Sequence, residues 1–237
     1  MSGHSKWAQI KRQKASNDQQ RSHEFSKMSR LITIAVHEGG GITDSDKNFK
    51  LRLTIERAKY INMPKDTIQR AIDKAAGGEG TQIKEIIYEG FGHGGVGLLI
   101  AATTDNSNRT HAEIKQVLEK NGGKIAGQNA VAHLFQRCGV VVFSRDQMNE
   151  QDALEFTEKI GAFDIEEDKE GYIIYFPFER LGKIREIAGD INPNEVDVFY
   201  KALVPMKMDN SDIEKNDRLI ERLESLEDVH NIYTSAE

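Results

Sequence analysis

The spacing of apolar residues changes once along this chain, at the glycine-rich stretch Gly77–Gly80. Before this stretch, apolar residues recur every three or four positions, which is the period of an amphipathic helix. After it, short apolar runs alternate with turns and with shorter helical segments, a pattern typical of intermixed strands and helices. The pattern predicts an all-helical unit at residues 16–76, followed by an architecture of a different class.

Three helices account for the first segment. The first is expected to begin at Ser16, a candidate N-cap, and to end before Gly39–Gly41, because glycine adopts the left-handed conformation without steric cost. A second helix is expected after Asp44 or Ser45, and Pro64 suits the first position of a third. Residues 16–76 are therefore predicted to form a small helical domain with a basic arm in front of it.

The remaining segments are too short for a doubly wound parallel sheet. "IKEIIYEG" and "VGLLIAATT" are strand-like, and a helix capped by Asn108 is expected to follow them. "AVAHLF" and "GVVVF" predict two further strands, a helix is expected around Phe178–Ile187, and a last helix carries a capping box that begins at Ser211. The pattern predicts an α+β multidomain protein with two small antiparallel sheets, each backed by helices.

Cysteine usage and hydropathy bear on the cellular compartment. The chain has 237 residues and one cysteine, which excludes an internal disulfide framework and suits a reducing cytoplasm. The longest apolar run, Val96–Ala102, is too short to cross a membrane, and the first residues lack the apolar stretch of a secretory signal. A mitochondrial transit peptide is the alternative for this acid-poor leader, although the leader has no apolar face. We expect a cytoplasmic protein without a membrane partner.

Charge is distributed unevenly along the chain. The formal net charge is -6, yet residues 1–77 carry 15 Lys and Arg against 8 Asp and Glu. The remaining residues carry 17 basic and 30 acidic side chains. This segregation indicates a cationic module joined to an acidic body.

The leader "MSGHSKWAQIKRQK" places the only tryptophan among lysines and an arginine. Such cations can displace counterions from a phosphate backbone, and an indole offers a flat face on which a base can stack. Alternatively, Trp7 packs against the helical domain and holds the arm in place. The first reading predicts a nucleic-acid-binding set formed by Lys6, Trp7, Lys11, Arg12, Lys14, Arg21, Lys27 and Arg30.

Other chemistry finds less support. "GHGGVG" (Gly92–Gly97) matches a dinucleotide-binding pattern, but it precedes a strand where that pattern requires a helix, so we expect a hairpin turn. Cys138 lies between apolar strands, without the electropositive, exposed setting of a nucleophilic thiol. The seven histidines are scattered, and none pairs with another ligand at zinc-like spacing, so no metal site is predicted.

The polar loop "TTDNSNRT" (Thr103–Thr110) leaves two interpretations open. It can contact a phosphate or another polar partner through Asn106, Asn108, Arg109 and a helix N-terminus. The same residues can instead form an Asx turn and a helix cap.

Six segments occur in a fixed order: "GHSKWAQIKRQK", "EGGG", "RLTIERAKYINMPKDTIQRAI", "YEGFGHGGVGLLI", "TDNSNRT" and "NGG". Together they resemble the YebC/PmpR family. Its members are labelled probable transcriptional regulators, and a mitochondrial relative is a translational activator of cytochrome c oxidase. The resemblance is close from residue 2 to about residue 143, and then diffuse until the final helix and strand. Gln13 departs from the family, which often has a basic residue near this position.

The resemblance implies three domains, with the third inserted in the second. Their expected bounds are 1–79, then 80–130 plus 205–237, and 131–204 for the insert. It also implies a cytoplasmic nucleic-acid-binding regulator without a cofactor. Through "NMPKD" it adds Lys65 and the neighbouring Arg70 to the expected positive surface.

Three functions follow from these observations. The first is a non-enzymatic, DNA-binding transcriptional regulator. The second is a translation factor that binds ribosomal RNA or tRNA through the same cations, and the family resemblance implies that it relieves stalling at proline-rich stretches. The third is a hydrolase that acts through the Asp105–Arg109 loop or Cys138. The sequence shows neither a clear recognition helix nor a known RNA-binding module, and it leaves the oligomeric state open.

Overall fold

The computed structural model describes residues 18–78, 82–189, 191 and 193–236. Its first unit consists of the helices α1 (Asp18–Glu38), α2 (Phe49–Tyr60) and α3 (Lys65–Ala76). The prediction of an all-helical first unit is confirmed. The proposed cap Ser16 lies outside the described residues. The buried core of this unit is formed by Met28, Leu31, Ile32, Ala35, Val36, Leu51, Ala58, Met63, Ile68, Ala71, Ile72 and Ala75.

The start of α2 differs from the prediction. Residues 44–47 form a turn, and Asn48 is the N-cap, with its side chain accepting a hydrogen bond from the Leu51 backbone N–H at 3.0 Å. The Asn48 amide group also donates to the backbone oxygens of Ala35 and Ile42, both at 2.9 Å. Because these bonds join the end of α1 to the start of α2, tertiary contacts favour Asn48 over Asp44 or Ser45 as the cap.

Strands and helices alternate in the rest of the chain. The elements are β1 (Lys84–Phe91), β2 (Gly97–Thr104), α4 (Ser107–Lys120), β3 (Lys124–Ile125), β4 (Phe135–Ser144), α5 (Glu150–Ile160), β5 (Asp164–Glu167), β6 (Gly171–Pro177), α6 (Ile184–Ala188), β7 (Glu195–Ala202), α7 (Asn210–Glu224) and β8 (Val229–Thr234). The first sheet has the antiparallel order β3-β1-β2-β8, and the second has the antiparallel order β5-β6-β4-β7. The predicted class, α+β with two small antiparallel sheets, is confirmed.

The glycine-rich segment between β1 and β2 is a hairpin turn, as predicted. β1 and β2 pair in register from Lys84 opposite Thr104 to Phe91 opposite Gly97. A short 3-10 turn joins them, in which Gly94 has a φ of 70° and Gly95 a φ of 81°. These left-handed conformations explain the glycines without a bound dinucleotide.

The two sheets face each other and share a core. Leu99 and Ala101 of β2 belong to the same buried cluster as Cys138 and Val140 of β4. The opposite face of the first sheet packs on α4 and α7, and the opposite face of the second packs on α5 and α6. Every residue of β2 is therefore buried, because this strand is covered on both sides.

Four local predictions after residue 82 differ from the structure in detail. "AVAHLF" was expected as a strand, but Ala132–Leu134 forms a 3-10 turn before β4 begins. α4 is capped by Asn106, and α7 is capped by the Asp209 carboxylate, which accepts from the Asp212 N–H. Each true cap lies two residues before the predicted Asn108 or Ser211. The helix expected around residues 178–187 is split into a 3-10 segment, Phe178–Lys183, and α6.

Candidate nucleic-acid interface

Half of the predicted nucleic-acid-binding residues fall in the basic arm. Lys6, Trp7, Lys11, Arg12 and Lys14 lie outside the described residues. The other five lie on two helices of the first unit. Arg21, Lys27 and Arg30 are on α1, and Lys65 and Arg70 are on α3.

The solvent face of α3 carries cations. Its buried face is the apolar stripe Ile68, Ala71, Ile72 and Ala75, so the intervening positions point to solvent. Lys65 and Arg70 are exposed, and Arg70 is held by the backbone oxygen of Asp66 and the hydroxyl of Thr67. No carboxylate in the described ranges forms an ion pair with either cation. Both charges are therefore available to an external anion.

α2 and α3 share two features with helix-turn-helix units. Residues 61–64 join them, and helix-turn-helix units use a connection of three or four residues. The start of the second helix in such units contacts base edges, and here it presents Lys65, Gln69 and Arg70 to solvent. α3 is thus a candidate recognition helix that the sequence analysis missed. Pro64, directly before a cation-rich helix, is the signal that was available.

Lys27 and Arg30 contact another part of the protein. Lys27 Nζ donates to the backbone oxygen of Glu224 at 2.5 Å, at the C-terminus of α7, where a cation satisfies an otherwise unpaired carbonyl. Burial lowers the pKa of Lys27 to about 8. Arg30 forms ion pairs with Glu227 and, at 2.6 Å, with Asp228. These two cations attach α1 to the turn between α7 and β8.

Asp228 is the centre of this contact. Its side chain is only 2% exposed and accepts hydrogen bonds from Arg30 at 2.6 Å, Arg109 at 2.9 Å and Thr110 at 2.6 Å. Burial alone would raise the pKa of Asp228, but the bonds from Thr110 and Arg109 outweigh it and lower the pKa below its usual value. We call Arg30, Arg109, Thr110 and Asp228 the Asp228 cluster.

Most hydrogen bonds of the Thr103–Thr110 loop are formed with other residues of the protein. Asn106 caps α4 by accepting from the Arg109 backbone N–H, as an Asx turn does. The Arg109 guanidinium donates to Asp105 and Asp228. The cap interpretation therefore accounts for Asn106, while Asn108 is exposed and takes no part in the cap.

A second polar contact attaches α2 to both sheets. Lys50 Nζ lies 2.6 Å from Glu38 and 3.3 Å from Glu85 of β1, and Glu85 accepts from His230 Nε2 at 3.2 Å. The hydrogen bond from His230 lowers the pKa of Glu85 to about 2, against the effect of burial. Further along α2, Arg57 pairs with Asp197 of β7 at 3.1 Å.

The comparisons with known proteins agree with the resemblance seen in the sequence. A family described as "TACO1/YebC second and third domain" matches residues 83–236, and one described as "TACO1/YebC protein N-terminal domain" matches residues 5–78. The chain belongs to the TACO1/YebC family.

Similar TACO1/YebC proteins are named probable transcriptional regulatory proteins. The relative from Brachyspira hyodysenteriae is 41% identical over 100% of this chain and 97% of its own length. The relative from Fervidobacterium nodosum is 42% identical over 98% of this chain and 92% of its own length. A crystal structure of a conserved hypothetical protein from Aquifex aeolicus superposes with a TM-score of 0.84 at 35% identity, covering 94% of this chain and 93% of that one.

The described part of this TACO1/YebC chain offers little for the hydrolase hypothesis. Cys138 is buried with its thiol against the backbone oxygen of Phe199, and burial raises its pKa to about 11. A thiol in this setting stays protonated at neutral pH and is a poor nucleophile. Among the described residues, no group of three or more His, Cys, Asp or Glu side chains is placed to hold a metal ion. None of the described helices is long and apolar enough to cross a membrane.

We expect stability to decrease below about pH 6.5 because of His230. Burial lowers the pKa of His230 below 6.5, so the folded protein binds fewer protons than the unfolded chain as the pH falls through this value. Glu85, with a pKa of about 2, adds a further loss only at more acidic pH, where the unfolded chain takes up its proton. Urea unfolding between about pH 5 and about pH 8 should show a smaller slope for His230→Gln than for the unmodified protein. An unchanged slope would contradict this assignment.

Proposed function

We propose that this chain is a non-enzymatic, cytoplasmic, DNA-binding transcriptional regulator. The basic arm and the solvent face of α3 would grip the phosphate backbone, and the acidic sheets would remain free for other contacts. This regulator would consist of the three expected domains, which are residues 1–79, 80–130 plus 205–237, and 131–204. The names of its relatives, probable transcriptional regulatory proteins, support a regulatory role.

The segregation of charge is the observation that carries this proposal. Residues 1–77 have 15 basic and 8 acidic side chains, whereas the remaining residues have 17 and 30. A polyanion attracts the first part and repels the second, which orients the molecule during approach. The expected contact set is the basic arm together with five cations on α1 and α3. Because Lys27 and Arg30 attach α1 to the α7–β8 turn, we expect Lys65 and Arg70 to contribute more to binding.

The layout of α2 and α3 favours DNA over the ribosome. A four-residue connection, residues 61–64, leads into a helix that begins with Lys65 and has Gln69 and Arg70 on its solvent face. Side chains of these types bind phosphates and base edges in a major groove. We expect contacts to phosphates to dominate the affinity, so that binding is strongly salt-dependent.

Reversing two charges on α3 should flatten the salt dependence of DNA binding. Each phosphate contact contributes about 0.9 to the slope of log affinity against log salt, so Lys65→Glu/Arg70→Glu should reduce that slope by about two. The measurement is fluorescence anisotropy with a labelled duplex between about 50 mM and about 200 mM salt. The matched control is Lys115→Glu/Lys120→Glu on α4, which reverses two charges on the acidic body. Equal effects of the two double variants would contradict the proposed surface.

A ribosome-associated translation factor is the competing function, because the same cations would bind ribosomal RNA or tRNA. Sedimentation of a cell lysate through a sucrose gradient separates the two. Comigration with ribosomes that is lost in Lys11→Glu/Arg12→Glu would support translation and contradict the DNA proposal. Absence from every ribosomal fraction, together with salt-dependent duplex binding, would support the DNA proposal.

A further inference from the structure

A cleft lies between α2 and the elements around the second sheet, at a distance from the solvent face of α3. Its volume is about 560 Å³, within the range of small-molecule sites. One wall is a stripe of α2 that runs from Phe49 through Arg52 and Leu53 to Tyr60. The opposite wall includes Leu181, Ile184 and Val196, which are buried in the core between the second sheet and the helices α5 and α6.

The α2 wall combines aromatic rings with an available guanidinium group. The Arg52 guanidinium carbon lies 5.2 Å from the centre of the Phe49 ring, over its face, so the two side chains form a cation–π contact. At the other end of the stripe, Tyr60 contributes a second, partly buried ring to this wall, and burial raises the pKa of its hydroxyl to about 12. Bases stack on aromatic rings and on arginine guanidinium planes in the same way.

The charges around the cleft differ in how they are used. Arg57 is occupied by Asp197, at 3.1 Å. Arg52 and Lys59 have no ion pair with any described carboxylate, although both lie at the cleft. Glu56 and Glu195 also line it, so the net positive charge of its lining is small. A guanidinium group without a carboxylate beside an apolar surface matches a ligand that is flat and apolar at its centre and anionic at its edge.

We propose that this cleft accepts one unstacked nucleotide of a single-stranded nucleic acid, with its base against Phe49 and the aliphatic wall and its phosphate on Arg52 and Lys59. The inference rests on the proposed function and extends it, because the solvent face of α3 alone would not distinguish a single strand from a duplex. A base in a duplex must first leave its partner and its stack, which costs free energy. The cleft therefore favours unpaired segments next to the bound duplex.

The test adds a bulky side chain at the edge of the cleft without straining the fold. Gly182 lies at the cleft, and a Cβ built on it meets nothing within 4 Å, so Gly182→Phe adds a ring to open space. Gly127→Phe is the matched control, because Gly127 has equally open surroundings and does not line the cleft. With the full-length protein and fluorescein-labelled oligonucleotides, Gly182→Phe should lower the affinity for a single strand about tenfold. It should leave the affinity for the matching duplex within about twofold, and Gly127→Phe should change neither.

A second variant tests the phosphate contact separately. Arg52→Gln should also weaken single-strand binding more than duplex binding, whereas Arg218→Gln on α7 should weaken neither. Equal loss of both affinities, or no loss, would overturn the cleft while leaving the proposed function intact. If the unmodified protein bound no oligonucleotide at all, the proposed function would fail first. If Gly182→Phe shifted the emission of the sole tryptophan, Trp7, without oligonucleotide, the cleft would hold the basic arm, and the proposal would be wrong.

Discussion

Replacing Asp228 with alanine should lower the free energy of unfolding by about 3 kcal/mol. The Asp228 carboxylate is 2% exposed and accepts from Arg30, Arg109 and Thr110 at 2.6–2.9 Å. Its removal takes one acceptor from each of two guanidinium groups and from a buried hydroxyl, while Arg30 keeps its pair with Glu227 and Arg109 its pair with Asp105. The effect falls at the lower end for a buried ion pair because Arg30 and Arg109 are 26% and 46% exposed and remain partly hydrated.

The neighbouring residue provides the control for this prediction. Glu227 also pairs with Arg30 but is 65% exposed, so Glu227→Ala should cost less than about 0.5 kcal/mol. Urea unfolding measures both variants. Hydrogen exchange should also show faster exchange in α1 of Asp228→Ala, because Arg30 joins α1 to the rest of the protein through this carboxylate. Similar stabilities for the two variants would show that the cluster does not hold the helical unit in place.

Replacing Glu89 with alanine should have an effect of comparable size, about 3 kcal/mol. The Glu89 carboxylate is 8% exposed and accepts from three backbone N–H groups, those of Asn129 and Val131 at 2.6 Å and that of Ala132 at 2.8 Å. Burial would raise the pKa of Glu89, but these bonds outweigh it and lower the pKa. Without the carboxylate, the N–H group of Val131 is buried and unpaired.

Three variants distinguish the loss of the hydrogen bonds to Glu89 from the mere loss of a negative charge. Glu89→Gln keeps one side-chain oxygen as an acceptor and should lose less stability than Glu89→Ala. Glu119→Ala removes an exposed carboxylate from α4 and should change the free energy of unfolding by less than about 0.5 kcal/mol. Chemical unfolding followed by circular dichroism gives these values. Equal stability of Glu89→Ala and Glu119→Ala would contradict the anchoring role.

The same carboxylate explains one limit of reading this fold from sequence. "AVAHLF" has the composition of a strand, yet Glu89, about 40 positions earlier, gathers three N–H groups there and folds Ala132–Leu134 into a turn. Elements whose apolar spacing alone determines which face is buried were predicted well. The stripe Ile68, Ala71, Ile72 and Ala75 is buried as its spacing predicts, and "VGLLIAATT" forms β2.

Capping shows a similar limit at shorter range. Asn106 and Asp209 cap their helices, although Asn108 and Ser211 are equally good capping residues two positions later. Which residue caps the helix depends on where the preceding strand or loop ends, and the packing of the surrounding elements sets that position. Local preference therefore locates a helix start only to within a few residues.

In the candidate site, too, some residues could be predicted from the sequence, whereas contacts between distant parts of the chain could not. The exposed cations Lys65 and Arg70 follow from charge counting and the family resemblance, and their use stays a prediction. Asp228 did not stand out in the sequence, because its partners Arg30 and Arg109 lie 198 and 119 positions away. The cleft also depends on two elements far apart in the chain, α2 and the segment around Leu181.

The route of the chain between the sheets has a consequence for protein engineering. The backbone N–H of Leu203 donates to the oxygen of Leu134 at 2.9 Å, so the segment that holds β4 to β7 leaves the first sheet and returns to it at adjacent points. A short linker could replace that segment without stretching the backbone. The shortened protein would nevertheless expose Leu99, Ala101 and Tyr233, which the excised strands now cover. We expect it to fold and then self-associate through this uncovered surface.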